Sequence, residues 1–287
     1  MKFDQRGGNV YGNSGGGMRF ISYCSMAFIL VTFSSMCNAQ ANSEQALQAF
    51  NAQYAELLAR HTSVGEKVSM QARMVDYSAL SGDPEWAALV QALAEFPIAG
   101  LHTQDQKKAF YLNAYNILSM NMVQQHWPLH TLRSLGSMLD PVWAHNAGVV
   151  GGENVTLRAL ENDVLRAMGD PRVHMAINCA SMSCPDLRHE PYVSSRLDRQ
   201  LDDQSVQFLK QDNKGIILNK TDNVLHLSSI FDWFESDFEP YGGVEAFVRH
   251  YRPELAKDLI LAPDIPYDWR VNGTLNGRDL SRLRADM

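Results

Sequence analysis

The stretch over residues 103–125 constrains this chain most. Beyond Lys108 it reads Ala-Phe-Tyr-Leu-Asn-Ala-Tyr-Asn-Ile-Leu, apolar almost all the way round a helical turn. A helix of that kind has no face to give to water, so the remaining chain must wrap it. The spacing predicts a buried central helix ended by His126-Trp127-Pro128.

Other helices follow from period and caps. Residues 43–60 place Ala46, Leu47, Phe50, Tyr54, Leu57 and Leu58 at helical spacing, with Ser43 as N-cap. Asp83-Pro84-Glu85 opens a second helix with Pro in its first turn and Trp86, Leu89, Val90 and Leu93 on its stripe. Further helices are expected over 156–168, with a capping box at Thr156, over 197–210, and, shorter, over 229–238 and 244–251. Strand signals are few and short: a hairpin over 148–157 around Gly151-Gly152, a strand over 173–178, and a hairpin joining 216–218 to 224–227. Residues 76–78 read as a turn and 263–269 as loop. The expected fold class is α+β, a helix-rich single domain with a small antiparallel sheet and no βαβ alternation.

Residues 1–41 read differently. Met18-Arg19 precedes an apolar run over 20–33, about 14 residues long and short of a membrane span of roughly 20. Small and polar residues follow, closing on Ala39-Gln40-Ala41. A basic start, a short apolar run and an Ala-x-Ala end are the pattern of a secretory signal peptide, so the expectation is a leader over 1–41 and a single domain over 42–287. Met1 and Met18 both stand as start sites. The implied location is periplasmic or secreted, with the membrane met only through the signal segment.

Charge narrows the function. The chain carries 25 Lys and Arg against 32 Asp and Glu, a net −7, and has no dense basic stripe. An acidic chain repels phosphate backbones, which argues against nucleic acid as partner. Of four cysteines, Cys24 and Cys37 fall in the leader, leaving Cys179 and Cys184 for the domain. No second Cys or His pair stands at a zinc spacing, so no metal and no cofactor is expected.

The densest chemistry lies in Arg172-Val-His-Met-Ala-Ile-Asn-Cys-Ala-Ser-Met-Ser-Cys-Pro185. Read as a strand, it turns His174, Ala176 and Asn178 to one face and Val173, Met175 and Ile177 to the other. A thiol near an imidazole is the minimal unit of a thiolate nucleophile. Two cysteines five apart in an exported protein also suit a disulfide that clips a loop. Both readings stand. On the central helix, Asn113 and Asn116 share a face, with Tyr115 between them and Asn121 beyond; they either bond buried backbone or face a polar cleft. Glu161 and Arg166 sit on the fourth helix as a loose pair or a solvated face. Phe231, Phe234 and Phe238 read as core. Asp268, in the final loop with Tyr267 and Trp269, is a candidate to orient an imidazole.

These blocks, in order, resemble one family. Val75-Asp-Tyr77, Lys108 through Asn116, Leu160-Glu-Asn with Leu165-Arg166, His174 through Pro185, Ser229 through Phe238, and Tyr267-Asp-Trp269 with Asn272 look like the domain of unknown function 547 over residues 70–275. The resemblance implies a conserved domain, often exported in bacteria, with a distant link to papain- and transglutaminase-like folds. Two functions follow as expectations. One is a cofactor-independent thiol hydrolase or acyltransferase with His174 as base, Cys179 or Cys184 as nucleophile, and Asn113, Asn116 or Asn178 at an oxyanion. Tyr115, Ser183, Glu161, Arg166 and Asp268 would line its binding site, and a small-molecule, peptide or envelope substrate is implied. The other is a periplasmic binding or envelope-scaffold module with a Cys179–Cys184 disulfide.

Overall fold

The computed structural model describes residues 24–275 and 278–279; side chains are described from residue 43 to residue 274. The chain divides into two units between Asn42 and Ser43. The leader reading falls mostly on residues 1–23, outside the described residues. Among those described, no helix is long and apolar enough to cross a membrane.

The first helix, α1, runs Cys24–His61. Ser43 therefore lies inside a helix and does not cap one, which corrects the expected start. The apolar stripe is as expected, with Leu47, Phe50, Tyr54, Leu57 and Leu58 buried. Two strands then pair antiparallel, β1 (Thr62–Lys67) and β2 (Met70–Asp76). Their two-residue turn is Val68-Ser69, both at positive φ. The sequence hides this hairpin because a turn needing φ > 0 twice is ordinarily marked by Asn or Gly. Asp76 is no turn residue but an N-cap: its side chain accepts from Ala79 N and starts α2 (Tyr77–Ser81).

Asp83 caps α3 (Pro84–Ala94) as the Asp-Pro signal predicts. The central helix α4 (Gln104–Gln125) begins in a full capping box of Thr103 and Gln106, and every residue from Leu112 to Val123 is buried. The glycine hairpin is β3 (Asn146–Val150) and β4 (Glu153–Thr156), with Gly151 and Gly152 both at positive φ. Thr156 then caps α5 (Leu157–Ala159), and the helical path continues as a π turn over Leu160–Leu165 and a 3₁₀ turn over Arg166–Met168. Only half of the expected capping box forms, because the residue at N3 is Ala159 and has nothing to return to the cap.

The expected strand over 173–178 is instead a helical turn, α6 (Val173–Ala176). The reason is Asp170-Pro171-Arg172, which repeats the Asp83-Pro84-Glu85 start signal: each aspartate Oδ1 accepts from the amide two residues on. Pro171 presets the first turn, and His174 N and Met175 N bond back to Pro171 O and Arg172 O. The turn changes which side chains share a face. Val173, Ala176 and Ile177 enter the larger core around α1, α3 and α4, while Met175 enters a second core.

That second core is built by α7 (Leu197–Phe208), β5 (Ile216–Asn219), β6 (Val224–Ser228), α8 (Ile230–Trp233), a 3₁₀ run over Glu235–Tyr241, and α9 (Gly243–Tyr251). Phe208, Phe231, Phe238 and Phe247 are buried at its centre. The expected loop over 263–269 is partly β7 (Ile260–Ile265), which pairs parallel with β6. The chain returns to β2 through β8 (Gly273–Leu275), again parallel, followed by β9 (Arg278–Asp279). The fold is thus helix-rich α+β, and among the described residues two of the three small sheets are mixed, not purely antiparallel. His174 sits on a turn that sends side chains into both cores.

Candidate functional site

The asparagines of α4 fix the floor beneath the site. Asn113 exchanges two bonds with the Tyr192 backbone, each 2.9 Å. Asn116 donates to Ala176 O at 3.1 Å and accepts from Asn178 N at 2.7 Å. Each amide thereby serves as a splint between the central helix and a non-helical stretch of chain, the partners a buried amide requires. Asn178 is likewise engaged, donating to Pro185 O and accepting from Ala180 N. Ser183 and Asp268 are clasped together, with Ser183 N donating to Asp268 O and Asp268 N to Ser183 Oγ, and the Asp268 carboxylate pairs with Arg270.

Above this floor opens a cavity of about 290 Å³. Five of the residues singled out from the sequence line it: Tyr115, Glu161, His174, Cys179 and Cys184. Asn113, Asn116, Asn178, Ser183, Arg166 and Asp268 do not. Cys179 and Cys184 are joined as a disulfide with Cα atoms 6.3 Å apart. Tyr267 Oη donates to Cys184 Sγ at 3.0 Å, and Ser181 Oγ lies 3.1 Å from Cys179 Sγ.

His174 is turned elsewhere. Its side chain is 1% exposed, its ring stacks on Phe234 with centroids 4.1 Å apart, and Nε2 lies 2.8 Å from Asp237 Oδ2. Burial pulls the imidazole down to about 4 against the opposing pull of Asp237, so the ring is neutral at ordinary pH. A neutral ring donating from Nε2 leaves Nδ1 as its acceptor nitrogen. Asp237 is also held in a fork by Arg166, Nε at 2.6 Å and Nη2 at 2.8 Å, and this pair draws its carboxyl down to about 2. Arg166 lies over the Phe234 ring, 5.0 Å from the centroid.

Glu161 is the opposite case. It projects from the π turn, a distortion frequent at functional sites, onto the cavity wall. Its hydrogen-bond partner is the Tyr115 hydroxyl at 3.4 Å. Burial lifts its carboxyl to about 7, more than Arg166 lowers it.

Sequence reasoning missed the walls. Trp143, Trp233, Trp269 and Tyr267 line the cavity and pack ring on ring: Trp233 stacks on Trp269 at 5.6 Å, and Tyr267 touches Trp269 at 4.4 Å. Phe234, read as core, is also a wall, and Asp237 holds the imidazole in the role considered for Asp268. A usable signal existed: two of these tryptophans stand directly beside acids, at Asp232-Trp233 and Asp268-Trp269. Among the described residues no group of three His, Cys, Asp or Glu is placed to hold a metal ion.

No curated protein and no solved structure matches this chain, so the papain- and transglutaminase-like kinship gains no support. It is further weakened by the geometry, in which the central helix carries amide splints and His174 stands on a helical turn. Residues 99–209, which span α4, the π turn, α6 and the two cysteines, match the family described as "Protein of unknown function, DUF547", which supports a DUF547-family domain over those residues.

Proposed function

We propose that this domain is a ligand-binding module whose aromatic-walled cavity holds a small molecule, with Cys179–Cys184 a structural disulfide in the wall. The observation that carries this reading is the placement of the sulfurs: they are bonded to each other, while the His174 Nε2 is committed to Asp237. A thiol bound in a disulfide is no nucleophile. A mostly apolar cavity with a few polar tips is the usual form of a small-molecule site. The basic start and Ala-x-Ala end of the leader favour export, and a disulfide persists in an oxidising compartment.

A second reading rests on one observation: Cys179, Cys184, His174 and Glu161 all border the same cavity. If the disulfide is reduced, a thiol hydrolase or acyltransferase would have a sulfur and a carboxyl near pH 7 in one site. The test is a fragment screen on the oxidised full chain, read by tryptophan fluorescence and repeated with Trp233→Leu. Trp233 is 45% exposed, and an unchanged far-ultraviolet circular dichroism spectrum of the variant checks that its loss leaves the fold standing. Hits that the variant loses support the module. An absence of hits, with activated-ester hydrolysis only after reduction, supports the thiol enzyme and sinks the first reading.

A further inference from the structure

The polar groups of this cavity are unequally matched. The Asp237 charge is met by the Arg166 fork and by the His174 N–H. Glu161 has no such partner: among the described residues no salt bridge reaches it, and its one hydrogen bond is to a neutral phenol at 3.4 Å. A carboxyl is thus left on an aromatic wall with no direct ion pair, Arg166 reaching it only through space while its fork holds Asp237. We propose that the cavity binds a small organic cation, an alkylated ammonium group seated on Trp143, Trp233 and Tyr267 with Glu161 as its counter-charge. This rests on the binding-module reading and names its ligand class.

Three observations favour a cation over other occupants. Aromatic faces carry negative quadrupole charge, and tryptophan most strongly. Rings of this very site already attract cations from outside the cavity, Arg133 over Trp269 and Arg166 over Phe234, each 5.0 Å from the centroid. An anion would be repelled by the Glu161 carboxylate, and a neutral apolar guest would leave that carboxyl only the long Tyr115 hydrogen bond, a costly arrangement in a dry site. A sugar needs a ring of hydrogen-bonding side chains, and the polar groups offered here are few: Glu161, the His174 imidazole stacked on Phe234, and the hydroxyls of Tyr115 and Tyr267, the latter already engaged with Cys184. A volume near 290 Å³ suits a group of a few heavy atoms.

Charge state follows from the surroundings. Glu161 is faced by Tyr115 from α4, by Arg166 on its own helical segment, by Asp237 from the 3₁₀ run and by Tyr267 from the final loop. A bound cation favours the ionised carboxylate, so binding releases a proton below pH 7 and strengthens as pH rises through that range.

The experiment is calorimetric titration of the oxidised full chain at pH 8 with choline and with its neutral carbon isostere, 3,3-dimethyl-1-butanol. The expected result is choline binding about tenfold tighter than the isostere, with that preference erased in Glu161→Gln and choline binding weakened in Trp233→Leu. Equal binding of the two probes overturns the cation assignment and leaves the module reading standing. Binding of neither probe overturns it as well. In that event the neutral fragment screen separates the two claims, because hits keep the module and an empty screen removes both.

Discussion

Replacing Glu161 by Gln should make the protein more stable at pH 8, although it removes a side chain we place at the centre of function. In the folded protein burial lifts the carboxyl from an ordinary 4.5 to about 7. A carboxyl that holds its proton longer in the folded state contributes most below pH 4.5, and that contribution is lost as pH rises through 7. At 1.36 kcal/mol per pH unit the full cost at pH 8 is roughly 3 kcal/mol. Glu161 opens onto the cavity, so the working expectation is about 2 kcal/mol. The amide must still be desolvated, which takes back about 0.5–1 kcal/mol. The net gain for Glu161→Gln is about 1–1.5 kcal/mol at pH 8, falling toward zero or slightly below at pH 4.5. Urea denaturation of both proteins at the two pH values measures it. A difference that does not change with pH would refute the reasoning, because it would mean that Glu161 titrates normally.

Other substitutions separate the splints from the site. Asn116→Ala leaves Ala176 O and Asn178 N without their partners in a buried position, so it should cost about 2–3 kcal/mol in chemical denaturation. Asp237→Asn removes the charge that Arg166 and His174 share. Its carboxyl stands at about 2, so the stability it supplies is present above pH 4 and lost as pH falls toward 2. Because that group is partly exposed, the variant should lose about 1 kcal/mol at pH 7 and nothing at pH 2, as read from thermal or urea midpoints. His174, held neutral down to about 4, adds a separate slope: stability falls with acidification between pH 6.5 and 4, and His174→Gln should flatten that segment of the curve.

What the sequence made legible follows from the range of each interaction. The central helix, the Asp83-Pro84 start of α3 and the glycine hairpin are local, and each residue signals its own role. The turn at Val68-Ser69 was invisible because tertiary pairing of β1 and β2 holds ordinary residues at positive φ. The segment around His174 was misread through its alternation of polar and apolar residues, which fits a strand as well as one helical turn. The Asp170-Pro171 start signal decides between them. The site was half legible. Glu161, His174 and the cysteines announce themselves as chemically loaded residues. The partner of His174, Asp237, is 63 residues away and looks like any surface acid until the second core folds it back. The aromatic walls likewise come from three separated segments, at Trp143, Trp233 and Tyr267-Asp268-Trp269, which only the parallel return of β7 brings together.

Two sulfur atoms decide between a binding module and a thiol enzyme. Native protein purified without reductant should be alkylated with iodoacetamide from pH 5 to 9, digested and mapped by mass spectrometry. The expected result is a peptide in which Cys179 and Cys184 are both unlabelled and together lack two hydrogens at every pH. Two free thiols, with one labelled faster than a model thiol, would contradict it and return the cavity to nucleophilic chemistry.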